Sequence, residues 1–556
     1  VRPEELDAGA IRAAPGEEPA LEAATAAEEA ARARAGRLAR STAFFSVATG
    51  LSRIAGLVRE IVAAAYFGIS GAMSAFTIAF QVPNLIRSLF ADAAIQAAFV
   101  PVFTGALERG NRREAFRLAS SLILLVALAL GALTALFILL AGALMPLFAP
   151  GFSGEFPRLV PLMVGLSRVL FPIVVLLGLS GIVVGVLNSY ERFGVFAIAP
   201  FFWNVVIIAV LVGLEPAFPE GKRIYAYAIG VLAGTVVQFA MVAYDLRNTP
   251  FRLAAVRLRE ALTPDARRVL VLMLPVTISL GLINLDLLIN SFFGTLVSDS
   301  APAAIDKAFR VYMLPQGVFS VAVTTVLFPT LSRLAARGDY QQLRATMASG
   351  MRQIALLLVP ASAAILVLSE PIIRLIYQHG EFGPHQTQVV ATALFWFAFS
   401  LPLNGLNLLL TRTFFSLQRN WVPTATSALN IVVDIAASAA LYGPFGVAGL
   451  VAATAIATGA GVLAQVLILR RGLGRLELGA FVATLARLAP AGALLAVVGY
   501  GAWALLDGAL GRALGAQIVS LGVGLAAGFA VYAASLIALR VPEAEQLRLL
   551  LRRPGA

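Results

Sequence analysis

The sequence predicts an all-α polytopic membrane protein: about fourteen transmembrane helices, arranged as two six-helix lobes related by pseudo-two-fold symmetry plus two C-terminal helices. Three observations predict it. Of 556 residues, 59% are hydrophobic and 13% charged, far more apolar than a chain whose main solvent is water. The apolar residues fall in windows of about 20, the length that crosses a hydrocarbon core of ~30 Å at 1.5 Å per residue. The pattern that ends the second window, Pro101-Val-Phe-Thr104 then Arg109-Gly-Asn111, returns 228 residues later as Pro329-Thr-Leu-Ser332 then Arg337-Gly-Asp339. A transmembrane barrel is excluded, because it needs segments of about ten residues with alternating hydrophobicity, and stretches such as Leu122 to Phe148 are apolar all round.

Residues 1–42 lack apolar periodicity and pass from acidic (Glu17, Glu18, Glu28, Glu29) to basic (Arg32, Arg34, Arg37, Arg40). They are expected to form a disordered cytoplasmic tail with a basic membrane-proximal end. A cleaved signal peptide fits poorly, since Arg53, Arg59 and Glu60 interrupt the apolar run ending at Ala63-Ala-Ala65. The predicted helices are 43–66, 73–104, 118–148, 158–188, 195–215, 224–245, 268–298, 302–334, 351–378, 387–417, 422–442, 446–470, 480–506 and 515–540. Their even number places both termini on one side. The arginine-rich loops after the second helix (Arg109, Arg112, Arg113, Arg117), the sixth (Arg247, Arg252, Arg257, Arg259) and the eighth (Arg333, Arg337, Arg344) fall on that side too. By the positive-inside rule it is the cytoplasm. The alternate loops, such as Gly68-Ile-Ser-Gly71 and Tyr442-Gly-Pro-Phe-Gly446, are short and nearly uncharged.

The repeat extends further, Asn204-Val-Val-Ile in the fifth helix matching Asn430-Ile-Val-Val in the eleventh, so helices 1–6 and 7–12 read as two copies of one unit. Each copy has an even number of helices, and both insert in the same orientation about an axis along the membrane normal. The expected divisions are an N-lobe over 43–246, a cytoplasmic linker over 247–267, a C-lobe over 268–471, a helix pair over 472–541 and a cytoplasmic tail over 542–556. Substrate is expected between the lobes near mid-membrane.

Net charge is +12, but the arginines sit in loops between apolar segments, so the basic balance encodes topology rather than a nucleic-acid partner. With no cysteine there is no disulfide framework, thiolate nucleophile or sulfur-ligated metal. The two histidines, His379 and His385, share one polar loop and lack further ligands for a metal.

Charges inside the apolar segments carry the functional reading, since an arginine near a helix centre costs ~2.5–3.5 kcal/mol on insertion scales. The first helix holds Ser52, Arg53, Arg59 and Glu60, the second Asn84, Arg87 and Asp92, and the eighth Arg310. Arg53 and Glu60, seven apart, share a helix face, whereas Arg59 points about 120° away unless the chain bends at Gly56. Arg53, Arg59, Arg87 and Arg310 outnumber Glu60 and Asp92, so pairing alone leaves cation over; the four are expected to line a cationic cavity whose guanidinium forks suit phosphate or pyrophosphate. Ser52, Glu60, Asn84 and Asp92 would support or gate it. The bland alternative is that these charges pair and pin helices together, or snorkel to an interface. A second constellation, Asp286 with Asn284 and Asn290 in the seventh helix and Asn430 with Asp434 in the eleventh, joined by Thr454, offers oxygen ligands to a hard cation. It reads as a Na⁺ or H⁺ coupling site, against a buried polar patch between helices. The repeat places Ile208 opposite Asp434, so this carboxylate belongs to one lobe only. No other cofactor is expected.

These motifs resemble the MurJ (MviN) family of lipid II flippases, within the multidrug/oligosaccharidyl-lipid/polysaccharide exporter superfamily. The likeness runs through Ser52-Arg53, Gly56 and Arg59, Phe80-Gln-Val-Pro83-Asn84-Leu-Ile-Arg87, Phe90-Ala-Asp92-Ala, Ala98-Phe-Val-Pro101 and Ala149-Pro-Gly-Phe152. It continues in Phe171-Pro172, Leu187-Asn188-Ser-Tyr-Glu-Arg-Phe193, Ala199-Pro200 and Tyr377-Gln-His-Gly380-Glu-Phe382. It departs from the family at Ser74, where aspartate is frequent, at Ser88, which replaces a second arginine, and at Asp92, one methylene shorter than glutamate. The resemblance implies a transporter that breaks no bond and moves lipid II, or another polyprenyl-pyrophosphate-linked glycan, across a bacterial cytoplasmic membrane for the cell-wall synthesis machinery. It also implies that Arg53, Arg59, Arg87 and Arg310 line the transport cavity, that Asp286, Asn430, Asp434 and Thr454 resemble a sodium site, and that the last two helices form a groove for the lipid tail. A drug or cation antiporter would call for a carboxylate-rich cavity, and a membrane glycosyl- or phosphotransferase for acidic clusters at a loop; neither pattern is present. A non-transporting scaffold of the same fold is the remaining rival.

Overall fold

In the computed structural model, residues 44–45, 47–90, 93–474 and 476–541 are described, with backbone only for 87–90, 93–97 and 274–284. Among them every regular element is helical. Helix α1 spans 47–67. It is followed by α2 (Gly71–Phe90), α3 (Ala93–Glu108), α4 (Arg112–Phe148), the short α5 (Pro150–Gly154), α6 (Leu159–Leu170), α7 (Ile173–Ser189), α8 (Gly194–Leu214) and α9 (Ile224–Asp245). A short α10 (Leu258–Ala261) leads to α11 (Pro264–Val297), α12 (Ala301–Pro315), α13 (Val321–Ala336), α14 (Tyr340–Tyr377), α15 (Pro384–Ser416), α16 (Trp421–Leu473), α17 (Leu478–Leu510) and α18 (Leu514–Ala538). Among the described residues ten helices are long and apolar enough to cross a membrane, and the apolar segments Gly71–Ile86, Ala98–Glu108 and Leu285–Val297 accompany them.

The breaks have identifiable causes, and they correct the predicted helix bounds. The predicted 158–188 helix is interrupted between α6 and α7 at Phe171-Pro172, where proline has no N–H to give the preceding turn. In α14, Leu368 leaves helical geometry (φ −112°, ψ 16°) just before Pro371, whose ring collides with the carbonyl four residues back. Between α12 and α13, Gln316–Ser320 forms a π-helical turn directly after Pro315. The predicted eleventh and twelfth helices run together in α16 and change direction at Gly446, at φ 55°, a conformation glycine adopts without a Cβ penalty.

The sequence repeat is also a repeat of geometry. Gly110 (φ 77°) and Gly338 (φ 71°) turn the chain out of α3 and α13. Asn111 and Asp339 then cap α4 and α14, their side chains accepting the backbone N–H of Glu114 and Gln342. Thr104 Oγ1 donates to Ser189 Oγ at 3.2 Å, and the equivalent Ser332 and Ser416 hydroxyls are also 3.2 Å apart. Helices α17 and α18 cross through small residues: a Cβ on Gly524 would stand 2.9 Å from the Gly499 carbonyl, an approach only glycines permit. This pair is fastened to α14 by the Arg374–Asp507 ion pair and by Tyr532 Oη donating to the Leu356 carbonyl at 2.9 Å.

At the end of the bundle carrying the short loops, α1, the turn after it and α2 are tied to α12, to the loop before α15 and to the first turn of α15. The Ile69 N–H donates to Gln386 Oε1 (2.8 Å), the Glu381 N–H to the Ala65 carbonyl (2.8 Å) and the Ala303 N–H to Ser74 Oγ (3.2 Å). Ser74 thus satisfies a free N–H in the first turn of α12. Gly380 (φ 59°) makes this closure possible, since a Cβ there would lie 2.3 Å from the Ala65 oxygen. Gly380→Val is therefore expected to force this end apart. The chain has no native cysteine, so a Ser74→Cys reporter should label severalfold faster with an impermeant maleimide in the Gly380→Val background; unchanged labelling would show that the contact does not close the bundle.

Candidate functional site

Where α1 meets α12, five charged side chains form one network. Glu60, 3% exposed, sits at its centre. Its Oε1 pairs with Arg59 Nη2 at 2.5 Å and with Arg310 Nη1 at 3.3 Å. Its Oε2 accepts from Lys307 Nζ at 2.6 Å. Arg310 is in turn held by Asp306 one helical turn back, Nε to Oδ2 at 2.8 Å and Nη2 to Oδ1 at 3.3 Å. The Arg59 guanidinium lies 4.7 Å from the centre of the Trp203 ring on α8, and the Lys307 ammonium 5.7 Å from that of Tyr377 on α14. Charged and aromatic groups from α1, α8, α12 and α14 therefore converge on a single carboxylate.

This arrangement redistributes the roles of the predicted arginines. Arg59 does not point away from Glu60: both side chains are long enough for adjacent residues to meet, although their Cα positions diverge, and α1 stays helical through Gly56. Arg59 is buried and locked, so it is not an open cavity residue. Arg53, by contrast, is exposed, and its Nη1 would touch a Cβ placed on Gly317, in the π-helical turn, at 3.3 Å. Arg310 keeps about a third of its side chain accessible (34%). Ser52 contributes its carbonyl, which accepts from Asn204 Nδ2 at 3.4 Å. Asn84 lines a separate cavity within the first half. The Arg87 side chain and Asp92 lie outside the described residues.

Asp306 and Lys307 were missed. The signal was present, since Asp306 and Lys307 both sit about one turn before Arg310 in an otherwise apolar helix, but Arg310 was read alone. Lys307 is fully buried. With these two included, three cations face two carboxylates, and the surplus positive charge is accessible at Arg310 and, beside the network, at Arg53.

The second constellation lies within the second half, around a polar cavity of about 370 Å³ lined by Asp286, Asn430, Thr454, Tyr312 and Asn404 among others. Asp434 is fully buried, and neither of its carboxylate oxygens has a hydrogen-bond partner among the described residues; the same holds for Asp286 Oδ1, its neighbour. Asn290 Nδ2 donates to Thr454 Oγ1 at 3.1 Å and to the Asp286 carbonyl at 3.1 Å. Buried carboxylates without donors fit a hard cation, because burying a charge is tolerated only when it is paired or coordinated. The side chain of Asn284 lies outside the described residues.

Comparison with known proteins places this architecture. The family model of the lipid II flippase MurJ matches residues 63–516. A probable lipid II flippase MurJ of Rhizobium meliloti is 33% identical over 414 residues, 73% of this chain and 76% of that protein. The lipid II flippase MurJ of Burkholderia cenocepacia is 32% identical over 350 residues, 62% of this chain and 67% of that one. A solved structure of a lipid II flippase MurJ in an inward closed conformation superposes with a TM-score of 0.73 at 22% identity, covering 89% of this chain and 99% of that one. An inward-facing multidrug transporter of the MATE family, in the MOP superfamily, shares the fold with a TM-score of 0.60 at 15% identity, covering 78% of this chain and 95% of that one. The chain is a multi-pass membrane transporter, not an enzyme, and it belongs to the MurJ family of lipid II flippases.

Proposed function

We propose that this protein carries lipid II, or a similar polyprenyl-pyrophosphate-linked glycan, from the inner to the outer leaflet of a bacterial cytoplasmic membrane by alternating access of its two halves. The observation that carries this reading is the network between α1 and α12, with its surplus of cation presented by Arg310 and Arg53. Guanidinium forks match a pyrophosphate, and the network spans the seam that must open and close. The lipid tail stays in the bilayer along a groove formed with the last two helices, α17 and α18, and both termini face the cytoplasm with the basic loops. Asp286, Asn430, Asp434 and Thr454 form the coupling-ion site, for Na⁺ or H⁺, and the flipped lipid passes to the cell-wall synthesis machinery.

Complementation of a bacterium depleted of its own MurJ tests this directly, with surface lipid II read by toxin access. Wild type is expected to restore exposure. Arg310→Ala, which leaves Glu60 paired with Lys307 and Arg59, should give normal amounts of protein and lose at least about tenfold in exposure, as expected when a charge-assisted contact is removed. Wild-type protein that inserts normally while lipid II stays inside would overturn the lipid II assignment.

A further inference from the structure

The first half contains a cavity of about 490 Å³ between α2, α7, α8 and α9, within the ~300–1,000 Å³ range of small-molecule sites. Neither the charge network nor the acidic constellation uses it. Its walls include the rings of Phe80, Phe196 and Trp203, the amides of Asn84 and Gln238, and the Ser180 side chain; none of the described lining residues is charged.

Three features define what it would take. Trp203 is shared: one neighbour of its ring is the Arg59 guanidinium, 4.7 Å from the centroid, so the cavity begins beside the cationic network. Its indole N–H is already committed to Thr235 Oγ1 at 3.0 Å, leaving the ring to act through its faces. Gln238, half-buried, has no hydrogen-bond partner among the described residues, so both a donor and an acceptor remain available at the cavity. Aromatic faces beside an amide suit an uncharged group that is apolar on one side and hydrogen-bonding on the other. An N-acetylated amino sugar is such a group: its C–H face stacks on a ring, its acetamide methyl meets apolar wall, and its amide pairs with a side-chain amide. An isoprenoid would leave the Gln238 amide against hydrocarbon, and a phosphate would find no cation among the described lining residues.

We infer that this cavity is the subsite for an N-acetylated amino sugar of the transported head group, with Gln238 as its amide partner and Trp203 as the ring through which it abuts the charged network at Arg59. The inference rests on the flippase reading and adds to it a determinant of selectivity for sugar-bearing over bare polyprenyl pyrophosphate. The asymmetry between the halves follows, the aromatic cavity of the first half receiving sugar and the acidic cavity of the second receiving a cation.

Binding of lipid II and of polyprenyl pyrophosphate to the full chain in nanodiscs, read by native mass spectrometry, tests this. Wild type is expected to prefer the sugar-bearing lipid by about tenfold or more, the discrimination of a site built to hydrogen-bond its ligand. Gln238→Leu should collapse that preference while the affinity for polyprenyl pyrophosphate holds. Leu177→Trp, which fills the cavity without removing a polar group, should do the same. A preference unchanged in both variants, or absent from wild type, overturns the subsite and leaves the flippase reading standing. Wild type that binds neither lipid above a phosphatidylglycerol background overturns both.

Discussion

Glu60→Ala is expected to be the most damaging single substitution in the chain, costing about 3–5 kcal/mol, the penalty for removing one partner of a buried ion pair. Lys307 is fully buried and its ammonium has Glu60 as its carboxylate partner, at 2.6 Å. Without that carboxylate the ammonium is stranded, Arg59 loses its partner and Arg310 keeps only Asp306. The measurement is thermal unfolding and monodisperse yield in detergent. The double variant Glu60→Ala/Lys307→Met is expected to regain part of the lost stability, because the stranded ammonium and its desolvation penalty are removed while Arg59 stays without its carboxylate. A coupling below about 0.5 kcal/mol in that cycle, the scatter expected of independent sites, would mean that the pair does not hold α1 to α12. Transport separates two roles further. The double variant should fold yet fail to restore surface lipid II, since the carboxylate that positions Arg310 at the seam is gone.

How much of this was legible beforehand depends on the physics that each feature obeys. That the chain is a bundle of membrane-length apolar helices was legible because hydrophobic length is a one-dimensional property. The repeat was legible because its recurring residues are turn and capping chemistry: Gly110 with Asn111 and Gly338 with Asp339 end one helix and start the next in the same way. The breaks at Pro172, Leu368 and Gln316 were not, since hydropathy carries no information about backbone dihedrals, whereas the change of direction at Gly446 falls in the predicted loop Tyr442–Gly446. At the site, the residue types were legible but their division of labour was not. Helix-wheel geometry places Cα atoms, and it set Arg59 apart from Glu60, whereas the side chains meet at 2.5 Å. Lys307 is visible in the sequence as a charge in an apolar helix beside Arg310, but its partner, a carboxylate from the other half of the chain, shows only in tertiary packing. The Asp286–Asp434 pairing came from residue type and from its asymmetry in the repeat; the unpartnered oxygens that give it meaning are visible only in three dimensions.

Those oxygens set the second large effect. In choline, where no alkali cation competes, Asp434→Asn is expected to unfold at higher temperature than wild type, because it removes a fully buried carboxylate whose two oxygens lack donors, a penalty of about 1–3 kcal/mol or more. In sodium the order should reverse: a cation held between Asp434, Asp286, Asn430 and Thr454 stabilises wild type by RT ln(1 + [L]/Kd), about 2.7 kcal/mol at a hundredfold excess over Kd, and stabilises the variant little. Thr454→Val should fall between them, since it removes one neutral oxygen and leaves both carboxylates. Transport should follow the sodium response and not the stability, so that Asp434→Asn is the more robust protein in choline and the slower flippase in sodium. A sodium response of equal size in wild type and Asp434→Asn would place the cation elsewhere, and no response in wild type would exclude sodium as the coupling ion. The reversal is diagnostic because a merely structural polar patch, satisfied by hydrogen bonds, would lose stability on substitution in either salt.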